Sequence, residues 1–264
     1  MGHRKFTLLL LAVCTVGTAF AQESPSADPK ARIKAARALK DATSDSIPLL
    51  QPYLADADRD VRLEAVRSLV AIGTQHSLDP LVAATRDNDP EIQIRATDGL
   101  VNFYVPGYVQ SGVARWSAAV RSRFDRENRD VVDPWVNVRP EVVTAIAKLA
   151  RGGGSMESRA NAARAVGILR GKPALPELLE ALQTKDTQVI YEVLIAFQKI
   201  GDLAAGTKAM TFVRDLEPRI QLAAIETVGL LRTREAMPDL RRVFDDTKSS
   251  VAARRAALVA LAML

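Results

Sequence analysis

Histidine and cysteine are almost missing from this chain: its 264 residues include two His, His3 and His76, and one Cys, Cys14. Imidazole and thiolate are the common ligands and nucleophiles of transition-metal and covalent chemistry. One histidine beyond the first twenty-one residues builds no ligand cluster. His76 stands at an expected loop-to-helix junction with no nucleophile motif around it. No catalytic residue, metal site or cofactor is therefore assigned. The run Gly152-Gly153-Gly154-Ser155, between Arg151 and Arg159, places amides at a helix start. Gly153, Gly154 and Ser155 are thus candidate anion contacts, although the run reads first as a turn joining two helices. No Gly-Lys-Ser/Thr follows, which excludes a nucleotide P-loop.

Two kinds of residue could instead meet a partner. Arg62 and Arg67 recur as Arg159 and Arg164, each 97 positions on. Asp58 to Arg62 is an i,i+4 spacing that permits a pair within one helix, and Arg62 and Arg159 are expected in an ion ladder. Arg67 and Arg164 lie about 140° further round a helix and are candidates for partner contact. Residues 102–139 hold the second set: Phe103, Tyr104, Tyr108, Trp116, Phe124 and Trp135, with five arginines among them. Aromatics with arginine are typical of binding hot spots, and equally of a long loop that pins itself by burying large side chains. Tyr104, Tyr108, Trp116 and Trp135 are the candidates here.

The elements that would position these residues follow from a repeat. Ala65, Ala96, Ala162, Val193 and Ala224 follow a step of 31, with one gap of 66 between Ala96 and Ala162 that reads as a degenerate unit. Ala35 and Ala256 extend the series by steps of 30 and 32. Each unit reads as two helices. The second opens on a capping Asp (Asp28, Asp58, Asp89, Asp186, Asp215) and then repeats apolar residues at helical spacing, such as Val61, Ala65, Leu69, Ile72. The first is shorter, with Pro48, Pro80, Pro176 or Pro238 near its start. Neither helix buries its apolar stripe alone, so hairpins must stack. Abundant Ala and few aromatics suit such close packing.

Residues 1–21 have basic Arg4 and Lys5, an apolar run and Ala19-Phe20-Ala21, the pattern of a signal peptide cleaved after Ala21. Lipid anchoring at Cys14 is the alternative, disfavoured by Val13 before it. Without Arg4 and Lys5 the formal charge falls from +5 to +3, which makes no electrostatic case for nucleic acid.

The pattern Asp-x-x-Val-Arg-x-x-Ala-x-x-x-Leu-x-x-Ile-Gly of Asp58–Gly73, with Ser158–Leu169, resembles HEAT repeats of the short, phycobilisome-lyase-like type. The resemblance implies an all-α, right-handed α-solenoid and leaves function open, since such repeats serve scaffolds, lyases and hydroxylases. Deoxyhypusine hydroxylases with such repeats hold iron through repeated His-Glu pairs, which this chain lacks. The expected organisation is a signal peptide at 1–21, a leader at 22–27, repeats at 28–104, a degenerate repeat or insertion at 105–138, and repeats at 139–264. The expected function is an exported scaffold that binds a protein or peptide on its concave surface, with no transmembrane helix in the mature chain. A lyase-like or hydrolytic enzyme using Asp/Glu acid–base chemistry is the alternative. The apolar end, Ala256 to Leu264, is a candidate surface for self-association.

Overall fold

The computed structural model describes residues 27–41, 44–109 and 131–264. The expected signal segment with Cys14, the leader up to residue 26, and Trp116 lie outside these residues. Among the described residues every regular element is helical: α1 Pro29–Ala38, α2 Ile47–Leu54, α3 Arg59–Ile72, α4 Leu78–Ala84, α5 Pro90–Tyr104, α6 Pro140–Gly152, α7 Met156–Ile168, α8 Leu175–Ala181, α9 Thr187–Ile200, α10 Gly206–Ala209, α11 Pro218–Leu230, α12 Met237–Asp245 and α13 Val251–Met263. The protein is an α-solenoid.

Local chemistry explains where the second helices begin. Asp28, Asp58, Asp89 and Asp186 each accept a backbone N–H from the first turn of α1, α3, α5 and α9. Ser155 does the same for α7 within a capping box with Ser158. Asp215 departs from expectation. The residue before α11 is Glu217, and the Asp215 carboxylate receives the Glu217 N–H at 2.8 Å. It thereby matches Asp56 and Asp87, which hold the amides of Asp58 and Asp89. Entry to the first helices is a 3₁₀ turn with proline close behind, as at Pro48, Pro80, Pro176 and Pro238, where a missing N–H costs nothing.

Successive second helices (α1, α3, α5, α7, α9, α11, α13) lie side by side in one layer, with the first helices over them. Ala65, Ala96, Ala162, Val193 and Ala224 are fully buried between neighbours. The ends shift the register. Ala35 is exposed while Ala36 is buried, and in α13 it is Ala257 rather than Ala256 that is fully buried. Where two second helices cross, one side is small. A Cβ on Gly167 would stand 2.8 Å from the Ala196 Cα, and one on Gly229 3.0 Å from the Ala260 Cα. Backbones therefore approach closely, and Leu50, Leu69, Leu100, Ile146, Leu178 and Phe197 fill one continuous core between the layers.

Of the two readings of the gap of 66, a degenerate unit or an insertion, the packing favours the insertion. α5 packs directly on α7: Asn161 donates to Asp98 at 3.1 Å, and Gly154 N–H donates to Gln93 at 2.9 Å. Units bearing Ala96 and Ala162 are neighbours, and the extra residues form an insertion between α5 and α6.

Candidate interaction surfaces

Two ladders of charged residues run across the repeats. In the first, Arg32 grips Asp56 with both edges of its fork, 2.7 and 3.0 Å, and Arg62 grips Asp87 at 2.7 and 3.1 Å. Arg62 also donates to the Asp56 carbonyl at 3.0 Å. Its partner is thus the next repeat, 25 residues on, and not Asp58, whose carboxylate is occupied in capping α3. The ladder ends at Arg159, which reaches the Ala150 carbonyl at 3.2 Å. Thr184 stands there in the place of Asp56 and Asp87, and its hydroxyl oxygen accepts the Asp186 N–H.

The second ladder lies on the second-helix layer. Arg37 donates to Glu64 at 2.7 Å, Asn161 to Asp98, and Arg164 to both carboxylate oxygens of Glu192. The network continues through Gln188, which donates to Glu192 at 2.7 Å, to Arg219, which donates to Gln188 and lies 3.8 Å over the Tyr191 ring. The two arginines singled out in the sequence therefore differ. Arg164 is consumed by a carboxylate whose side chain is only 4% exposed. Arg67 stays 43% exposed between Glu64 and Glu91, 3.4 Å from each. Arg59 holds Glu91 from the other side and also binds Asp89.

These clamps set the acidity of the layer. Hydrogen bonding from Arg37 holds the Glu64 carboxyl below the usual range, and hydrogen bonding from Arg59 does so for Asp89. Glu226 on α11 moves the other way, pushed up by desolvation.

The insertion is pinned at both described ends. The Tyr104 hydroxyl accepts the Arg139 N–H at 3.2 Å, with Phe103 packed edge-on to its ring at 5.0 Å. Val109 N–H bonds the Asn102 side chain, and Val132 N–H caps the free Ile168 carbonyl at the end of α7. Tyr104 and Tyr108 are half-buried against the core, whereas Trp135 is 80% exposed. Burial thus fastens the two tyrosines and leaves the one described tryptophan on display.

The glycine run is a tight turn. Gly154 gives its amide to Gln93, and the Ser158 amide goes to the Ser155 hydroxyl, so these two amides are engaged within the fold. His76 is exposed in the 3₁₀ turn before α4.

The sequence singled out nothing in the groove between α4 and α6. The seven-residue α4 stops at Ala84 while the thirteen-residue α6 runs on to Gly152, so α6 overhangs its neighbour. The resulting cavity of about 510 Å³ is walled by Val82, Pro140, Ala145 and Leu149, with Arg86 and Lys148 also lining it. Only a comparison of helix lengths in adjacent units could have pointed there. Among the described residues no group of three or more His, Cys, Asp or Glu is placed to hold a metal, and no helix is long and apolar enough to cross a membrane.

With this geometry in view, the family comparison decides the class. A family model of HEAT repeats matches residues 18–101, and one of the PBS lyase HEAT-like repeat matches residues 158–184. The chain carries HEAT repeats. No curated protein matches the sequence significantly. Among solved structures, this HEAT-repeat chain is similar to human deoxyhypusine hydroxylase in complex with glycerol (19% identity, 93% of this chain and 81% of that one, TM-score 0.41). It is also similar to an engineered protein (17% identity, 90% and 75%, TM-score 0.37). A third likeness is to the complex of CpcE and CpcF of phycocyanin lyase from Nostoc (19% identity, 90% and 91%, TM-score 0.30). At these scores the likenesses are loose, and the chemistry of those proteins does not pass to this HEAT-repeat chain.

Proposed function

We propose that this HEAT-repeat protein is an exported scaffold that binds a protein or peptide partner along its second-helix layer and performs no catalysis of its own. The observation that carries this reading is the second ladder. Glu64, Asp89, Glu91 and Glu192 are each engaged by an arginine, so the layer offers fixed charges of both signs rather than a poised proton donor. Arg67 is an accessible contact on that layer, and Trp135 is exposed in the segment that leads into α6. Export rests on the leader pattern of residues 1–21.

A photo-crosslinking residue placed at Arg67, compared with one at Arg241 on α12, tests the docking face in the native compartment. A discrete adduct from Arg67 alone supports it, and equal labelling at both positions removes it. Secretion of a reporter fused after residue 27 tests the address.

The enzymatic alternative needs a pocket carboxylate with a raised pKa; Glu226, whose carboxyl is pushed upward by desolvation, is exposed on α11. Glu226 does not line the groove between α4 and α6. A turnover assay with Glu226→Gln against the parent separates the readings. Self-association through the exposed Leu258, Val259 and Met263 of α13 belongs to the same proposal, and sedimentation velocity with Val259→Glu checks it.

A further inference from the structure

We infer that the groove between α4 and α6 is a second binding site, on the first-helix layer, for a peptide segment in which an apolar side chain is followed by a carboxylate. This goes beyond docking on the second-helix layer and does not depend on it.

Three observations carry the assignment. The groove, about 510 Å³, falls within the size range of ligand pockets. Its walls are aliphatic: Val82 from α4, and Pro140, Ala145 and Leu149 from α6, so an apolar side chain gains by entering. Its polar members are unequally engaged. Thr85 gives its hydroxyl to the Val82 carbonyl at 2.7 Å, Gln93 is bonded at both ends of its amide, and Glu141 faces Arg139 at 3.6 Å. Arg86 and Lys148 are exposed on the lining and make no ion pair with any described residue.

A hollow that combines aliphatic walls with two unneutralised cations selects an anion attached to an apolar group. Arg86 suits a carboxylate bidentately, and Lys148 adds a flexible point charge. A basic segment is repelled by the same pair, and a neutral apolar segment leaves both cations with water alone. The length of α6 creates the site: it has thirteen residues against seven in α4, and its overhang beyond Ala84 leaves the wall open.

The test uses the full mature chain and two fluorescent peptides, one alternating Leu and Glu and the other with Gln in place of each Glu. The acidic peptide is expected to bind, and its binding to weaken as ionic strength rises. Arg86→Glu with Lys148→Glu should weaken it at least about tenfold, while an otherwise identical peptide carrying Lys in place of Glu should gain affinity for that variant. Ala145→Trp, which fills the groove without touching charge, should weaken both acidic and neutral peptides. Thermal melting of each variant verifies that it is folded, and Lys148→Gln serves as a milder substitution should the double reversal melt early. Equal binding of the acidic peptide to parent and charge-reversed protein overturns the proposal, as does tighter binding of the Gln peptide or no binding at about 1 mM. Loss on Arg67→Glu with no loss on Arg86→Glu/Lys148→Glu also overturns it, and leaves docking on the second-helix layer standing.

Discussion

Glu192 on α9 takes two hydrogen bonds from the guanidinium of Arg164 on α7, one of them from Nε to Oε2 at 3.1 Å, although its side chain is only 4% exposed. The pair joins successive repeats across the face where their second helices meet. Burial alone would disfavour the arginine's charge, and Glu192 more than offsets that cost, leaving the Arg164 pKa above its usual value.

Breaking this pair from one side strands a buried charge. Arg164→Met is expected to destabilise the protein by about 3–5 kcal/mol, and Arg164→Met with Glu192→Leu to recover most of that loss. Urea unfolding of the single and double variants measures it. A single variant as stable as the parent would refute the assigned burial.

Acid should loosen the first repeats. Glu64 and Asp89 are held below their unfolded values by Arg37 and Arg59, so their contribution is complete above about pH 4.5 and is lost as pH falls through the lower folded values. The melting temperature is expected to be level from neutral pH to about 5 and to decline below about 4. Glu64→Gln should make that decline shallower. The check is a melting series against pH for parent and variant.

Arg170 and Arg232 adopt positive φ, 49° and 51°, at the ends of α7 and α11, where Gly73 and Gly201 end α3 and α9. In each arginine case the next two amides close on the helix, as Arg170 N–H to Gly167 and Gly171 N–H to Val166. A Cβ costs about 1 kcal/mol in this conformation. Arg170→Gly and Arg232→Gly are each expected to stabilise by roughly 0.5–1 kcal/mol, and Gly201→Ala to destabilise by a similar amount. Denaturant midpoints at constant slope decide this.

Gly167 and Gly152 should respond differently to the same change. A Cβ on Gly167 meets the Ala196 backbone at 2.8 Å, while one on Gly152 meets nothing within 4 Å. Gly167→Ala is expected to cost about 1–3 kcal/mol by forcing α7 from α9, whereas Gly152→Ala should be neutral within about 0.5 kcal/mol. Calorimetry of both variants measures the contrast.

Much of this architecture is written locally. Asp58, Val61, Ala65, Leu69 and Gly73 contain a cap, a stripe and a stop within one helix, and the 31-residue recurrence of the Ala65 position requires hairpins to stack. Asp215 was misplaced because Asp at a cap and Asp two residues before it are alike in sequence. They differ only in which amide they hold. The gap between Ala96 and Ala162 reads in the sequence as a degenerate unit or an insertion, because spacing counts residues and not their path through space.

The sequence by itself therefore determined the helices and their pairing into stacked hairpins, since caps and apolar periods act within a few residues. Tertiary structure alone decided that Arg62 meets Asp87, that Arg164 is consumed by Glu192, that Tyr104 fastens the insertion, and that α4 and α6 leave a groove. The two ion pairs depend on the offset between stacked repeats, which brings together side chains 25 and 28 residues apart, and the other two contacts span longer separations still, at which no local pattern selects the partner.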